Sequence, residues 1–160
     1  MQISARPATR DDMMTLEQLY RGLEAEMVEL HRMWPLSDGF AEPITGSFGE
    51  AIDGENSLVL LGCIDDVPFG FIYGRSEPLL PQADGRRVAA IRMVYTEMTA
   101  REVGVGEVMR DALVAHYRER GHTLFDAHVL PGHRLAKNFF EAGGFSARSI
   151  VMHHDDDRVR

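Results

Sequence analysis

The sequence predicts an α/β domain, a mixed central β-sheet flanked by helices. Three observations carry this. Runs rich in β-branched and aromatic residues alternate with stretches whose apolar residues recur at helical spacing. One run, residues 88–95, is almost entirely apolar apart from Arg92, as suits a central strand. The 160 residues hold no internal repeat and no low-complexity linker, so one domain accounts for them.

Residues 3–6 read as a short first strand, punctuated by Pro7. Thr9 and Asp12 have the spacing of a capping box, with Asp in place of the usual Glu. Leu16, Leu19, Tyr20, Leu23, Met27 and Leu30 then predict an amphipathic helix over residues 12–31, ended by Trp34–Pro35. Gly, Pro and Ser crowd residues 37–54, a loop region with one short helix near residues 48–52. Residues 58–64 and 69–75 form a hairpin turning at Asp65–Asp66, and residues 88–95 supply the central strand. Val105, Val108, Met109, Ala112, Leu113 and His116 mark the clearest helix; Gly121 caps it, and Arg118 and Arg120 suit the negative end of its dipole. Residues 123–130 are a strand closed by Pro131–Gly132. Residues 134–142 are a short helix stopped by Gly143–Gly144, and residues 146–152 a last strand. The order is βαββ, β, αβαβ.

Composition narrows the function. The net charge of −8 argues against sequence-independent nucleic-acid binding, which rests on neutralising phosphates. There is no polybasic patch for an anionic membrane, and no apolar run approaches the ~20 residues of a membrane helix. No secretory signal is expected at the N-terminus. Cys63 is the single cysteine, which fits a reducing cytoplasm and gives no multi-cysteine metal site. The charge is uneven: residues 1–66 carry 13 acidic and 4 basic side chains, residues 67–160 carry 12 and 13. The run His153-His154-Asp155-Asp156-Asp157 fixes no ligand geometry and reads as a solvated end, so no metal is expected. Residues 1–154 are taken as the domain and 155–160 as a frayed tail.

The most informative stretch runs from Ile91 to Gly106. A buried strand enters a loop, and the loop enters a helix through Arg101-Glu-Val-Gly104-Val-Gly106. A helix start offers unpaired N–H groups and about half a positive charge, and glycines there let an anion approach the backbone. The plainer reading is a turn and tight helix packing. A dinucleotide fingerprint fits poorly: Met109 takes the third glycine's place and the strand ends too early. A P-loop is excluded, since no Gly-Lys-Ser/Thr follows and the one lysine is Lys137.

Arg101-x-x-Gly104-x-Gly106 resembles the Q/R-x-x-G-x-G/A signature of the GNAT acetyltransferase superfamily. The element order is similar too, down to Gly144–Phe145, and the likeness covers residues 3–152. The resemblance implies a cleft between two splayed strands, residues 88–97 and 123–130, that takes acetyl-CoA as co-substrate. Backbone groups of Val94, Tyr95 and Thr96 would pair with the pantetheine arm. The N–H groups of Arg101, Glu102, Val103, Gly104, Val105 and Gly106 would hold the pyrophosphate. Lys137, Asn138 and Arg134 would lie near the adenosine end. Glu97, at the end of the central strand, is the first candidate for the base that deprotonates the amine; Tyr95 is placed to orient the substrate or donate a proton. Each has a bland counterpart: an exposed loop carboxylate, a sheet-packing tyrosine, a solvated helix face.

Three departures stand out. His133 and Phe140 replace an Asn and a Tyr common in the family, and Glu102 follows the signature arginine where Gly is frequent. Phe140 has no proton for the leaving thiolate. The sequence thus leads to N-acetyl transfer onto a primary amine of a small molecule or peptide, by direct attack in a ternary complex. A non-catalytic acyl-CoA-binding module is the rival, and a dinucleotide oxidoreductase a distant third. Glu24, Glu26, Glu29, Asp38 and Glu42, on the acceptor side by resemblance, extend the expectation to a cationic amine. The single strand after Ser146 leaves two outcomes open: a short sheet, or one completed by another subunit as a homodimer.

Overall fold

A computed structural model describes residues 1–30 and 33–158. The chain opens with β1, Ile3–Pro7, and a 3-10 turn over Arg10–Asp12. The capping box is formed: the Thr9 hydroxyl accepts from Asp11 N–H, and Asp12 accepts from Thr9 N–H at 2.8 Å. This turn launches α1, Met13–Leu30, which buries Leu16, Leu19, Tyr20, Leu23 and Met27 along one face. The expected end of this helix at His31 lies outside the described residues. Trp34–Ser37 is a four-residue helix, α2, rather than a plain stop. The expected short helix at 48–52 is a longer one, α3, Ile44–Asp53.

β2, Ser57–Ile64, and β3, Val67–Pro78, form the hairpin. Asp65 and Asp66 turn it with φ of 47° and 66°, the left-handed pair that suits the twist of two-residue hairpins. β4 is Arg87–Thr96, α4 Val105–Glu119, β5 Leu124–Ala127 and α5 Arg134–Ala142. The sheet order is β1-β2-β3-β4-β5; β1 to β4 are antiparallel and β5 is parallel to β4.

Helices cover both faces. α1 and α3 pack on one side against Val59, Leu61, Phe71, Tyr73 and Met93. α4 packs on the other against Leu60, Ile72, Ala89 and Ile91. Ile91 and Met93, two residues apart, therefore face opposite sides. Strict alternation forbids this, and a β-bulge at Arg92 permits it: Tyr73 pairs with Met93 but Gly74 with Ile91. Tyr20, Trp34, Phe40 and Phe48 form an aromatic group, and Phe40 N–H donates to the Tyr20 hydroxyl at 2.8 Å. This group lays the α2–α3 connection against α1.

The last strand expected at 146–152 is not formed. These residues are irregular and exposed, with Ile150, Val151 and Met152 at 74%, 87% and 88%. The edge strand that Arg148 meets, β5, is four residues long instead of the eight expected. Arg148 meets that strand through a two-pronged side-chain pair with Asp126, at 2.8 and 2.6 Å, instead of a backbone ladder. No helix among the described residues is long and apolar enough to cross a membrane.

Candidate functional site

The site begins where two strands part. β4 and β5 pair from Val88↔Leu124 to Ile91↔Ala127, and His128 N–H donates to Ile91 C=O at 3.0 Å as the last rung. β4 runs on from Arg92 to Thr96 without β5 beside it. At ~3.3 Å a residue, this open edge is about 16 Å long. Glu97 N–H donates to Phe69 C=O on β3. Counting back in twos, Tyr95 and Met93 direct their main-chain groups to β3, and Val94 and Thr96 direct theirs into the gap. The splayed strands expected from the resemblance are thus present.

The loop beyond the open edge makes a 3-10 turn, Met98–Ala100, and reaches α4 through two left-handed residues, Glu102 (φ 69°) and Gly104 (φ 102°). Gly104 is the N-cap of α4, and no side chain caps that helix. The first intrahelical bond is Val108 N–H to Gly104 C=O at 3.1 Å, which leaves the N–H groups of Val105, Gly106 and Glu107 without helical acceptors. A Cβ on Gly104 would meet nothing within 4 Å, so an anion has room to approach. Gly106 serves a different end. A Cβ there would lie 3.0 Å from the Phe139 ring, so this glycine admits α5 against α4.

The signature arginine turns toward α1. Arg101 Nε donates to Thr96 C=O at 2.8 Å, and Nη2 donates to Glu26 Oε2 on α1 at 2.5 Å. Its guanidinium lies 5.7 Å from the Tyr95 ring centroid. The Tyr95 hydroxyl rests against Gly22 on α1, within 2.6 Å of where a Cβ would be. Burial, and then the charge of Glu26, push the Tyr95 phenol above its ordinary pKa, so it keeps its proton. Glu97 follows the last residue of β4, half-buried, at the outer end of the open edge rather than at the fork.

A second polar group sits at the fork. Arg92 Nε donates to Asp38 at 3.1 Å, and Nη1 donates to Glu77 at 3.4 Å and to His128 Nε2 at 3.2 Å. Burial holds the Asp38 carboxyl above its usual pKa despite that arginine. Lost solvation first, and the Arg92 charge second, hold His128 below its own. Sequence reasoning placed Glu26 and Asp38 on the acceptor side but missed their pairing with Arg101 and Arg92, and it missed Glu77 and the contact of His128 with Arg92. Arg92, the one charge in an apolar strand, was the visible signal.

Other expected site residues lie on α5, which packs against α4 at Gly106. Lys137 pairs with Glu141 at 3.2 Å on its own helix, and Asn138 is exposed on α5. Phe140 is buried between Phe139 and Phe145, so it packs α5 and supplies no proton.

The model of the acetyltransferase (GNAT) family matches residues 16–145. The chain belongs to the GNAT acetyltransferase family. No curated sequence matches it. Its fold is similar to the tetramutant of the BH1408 protein from Bacillus halodurans, at 22% identity and TM-score 0.79, over 97% of this chain and 99% of that one. It is also similar to AAC(6')-Iy in complex with the bisubstrate analogue CoA-S-monomethyl-acetylneamine, at 14% identity and TM-score 0.76, over 99% and 100%. A third is ribosomal-protein-alanine N-acetyltransferase from Brucella melitensis biovar Abortus 2308, at 15% identity and TM-score 0.70, over 96% and 100%. The chain shares its overall fold with these solved structures.

Proposed function

We propose that this GNAT chain is an acetyl-CoA-dependent N-acetyltransferase acting on a primary amine of a small molecule or peptide. One observation carries the reading: the uncapped start of α4 adjoins the open edge of β4, so an anion site and a strand-pairing site are continuous. A pyrophosphate suits the first and the amides of a pantetheine arm suit the second. The residues present fit the co-substrate, which supplies the activated acyl group. The structural likeness to AAC(6')-Iy bound to a CoA-containing analogue supports the same reading.

The chain's own groups define the steps. The N–H groups of residues 102–106 hold the diphosphate, since Arg101 N–H is already given to Met98 C=O at 3.3 Å, and Val94 and Thr96 N–H align the arm along β4. Thr96 C=O is already taken by Arg101, so the arm relies on the remaining groups. A backbone N–H near Thr96 polarises the thioester oxygen. The amine nitrogen bonds to the thioester carbon and the C–S bond breaks. Glu97, directly or through water, takes the proton the amine loses. Tyr95, kept protonated, is the candidate donor to the departing sulfur; a thiol's ordinary pKa of about 8.5 also lets it leave as thiolate. The acceptor enters from the α1 face, where a cationic amine would meet Glu97.

The rival reading, a non-catalytic acyl-CoA-binding module, is favoured by Phe140, buried where the family often carries a tyrosine. One experiment separates them: coenzyme A titration by calorimetry, with thiol release from acetyl-CoA over a panel of amines. We expect binding and amine-dependent thiol release. Binding without release on every amine favours the module, and no binding defeats both. In the same assay Glu97→Gln should lower kcat about 100-fold and remove the acidic limb of the pH–rate profile. An unchanged profile would remove Glu97 as the base.

A further inference from the structure

Arg101 and Glu26 are 75 residues apart, yet they join the cofactor loop to α1. The joint is partly sheltered, the two side chains being 26% and 19% exposed. Arg101 makes two directed bonds, one to Thr96 C=O where the loop begins and one to Glu26. Between Thr96 and Val105 the loop holds Glu102 in a left-handed conformation, which is unfavourable for a residue with a Cβ. The loop is therefore not in its own preferred shape. Contacts outside it hold it there, and Arg101 reaches from the loop to α1.

We infer that Glu26 is a positioning residue for the acyl-CoA site: through Arg101 it holds the loop between β4 and α4 in the shape that aims its N–H groups at the diphosphate. The inference rests on the reading above. Glu26 itself touches no cofactor. Its carboxylate fixes the guanidinium, the guanidinium fixes Thr96 C=O, and the loop between that carbonyl and α4 keeps its strained course. Preorganised donors bind an anion without first paying an ordering cost, so loss of the tether weakens binding more than it slows the bound complex.

The test uses coenzyme A as probe, with Glu26→Ala, Glu26→Gln, Arg101→Lys and the Glu26→Ala/Arg101→Lys double variant. Glu26→Ala should raise the Kd for coenzyme A and the KM for acetyl-CoA about 10-fold, with kcat at saturating acetyl-CoA within about two-fold. Glu26→Gln keeps an acceptor oxygen and should recover part of the loss. A lysine cannot reach both Thr96 C=O and Glu26, so Arg101→Lys should match Glu26→Ala. The double variant should be no worse than the weaker single one, because both break one tether. Unchanged or tighter coenzyme A binding by Glu26→Ala, or additive losses in the double variant, overturn the inference. Failure of the unmodified protein to bind coenzyme A overturns the function proposed above, and this inference with it.

Discussion

At residue 102 the chain places a side chain where its backbone favours none. Glu102 has a φ of 69° and is exposed beside the start of α4. Two effects of Glu102→Gly on stability partly cancel. Relief of the left-handed strain gains about 1–2 kcal/mol, and the freer unfolded glycine returns about 0.4–1 kcal/mol. Its effect on the site has one sign, since a carboxylate next to bound diphosphate repels it. We expect Glu102→Gly to lower the KM for acetyl-CoA about three-fold while thermal denaturation shifts by about 1 kcal/mol or less. A KM that stays or rises would mean the carboxylate points away from the phosphates. The position was readable as a departure from the signature, but its φ was not, because conformation at one residue depends on where both flanking elements are anchored.

Elements were legible where their information is local. The Thr9–Asp12 box and the Asp65–Asp66 hairpin are spelled within a few residues, and both are formed. The α4 start was legible for the same reason. The run at 146–152 looked like a strand because it ends in Ile150-Val151-Met152, but a strand also needs an edge, and β5 ends at Ala127. The shortness of β5 follows from β4 and β5 parting at Ile91, which no single-strand pattern records. Arg101–Glu26 and Arg92–Asp38 escaped notice because partners 75 and 54 residues apart leave no spacing to read. The same holds for the docking of α5. Arg110, buried on α4, donates to Phe139 C=O at 2.7 Å and lies 4.7 Å from that ring's centroid. Arg110→Met should leave that carbonyl without its donor, at a cost of about 1–3 kcal/mol. Hydrogen exchange should then quicken over residues 134–142 and stay slow in β2 and β3. Uniform loss of protection would instead make Arg110 part of the general core.

Across the whole molecule, the net charge of −8 is less of a field than its size suggests. Of the five carboxylates expected to draw in a cationic acceptor, four are bonded to arginines: Glu24 and Glu42 to Arg21, Glu26 to Arg101, and Asp38 to Arg92. Charge here mostly ties elements together, so its global effect should appear in stability against pH. Asp12 ties β1 to α1: two Arg6 N–H groups reach it at 2.9 Å, and the pair holds its carboxyl down to about 2. A carboxyl depressed in the folded state adds stability above its unfolded pKa, near 3.8, and loses it as pH falls toward 2. Burial acts first on His116 and His128 and lowers both. The unfolded chain then binds protons more readily, so stability falls as pH drops below about 6.5. Raised Asp38 works the other way and gains stability in acid, which offsets part of the Asp12 loss. Urea denaturation against pH separates these contributions. Asp12→Asn should cost about 1 kcal/mol at pH 7, a discounted value because Arg6 is 44% exposed. The gap between the two proteins should persist down to about pH 4 and close toward pH 2, while both weaken alike below pH 6.5. A gap that stays constant to pH 2 would mean Asp12 acts through the geometry of its cap and not through its charge.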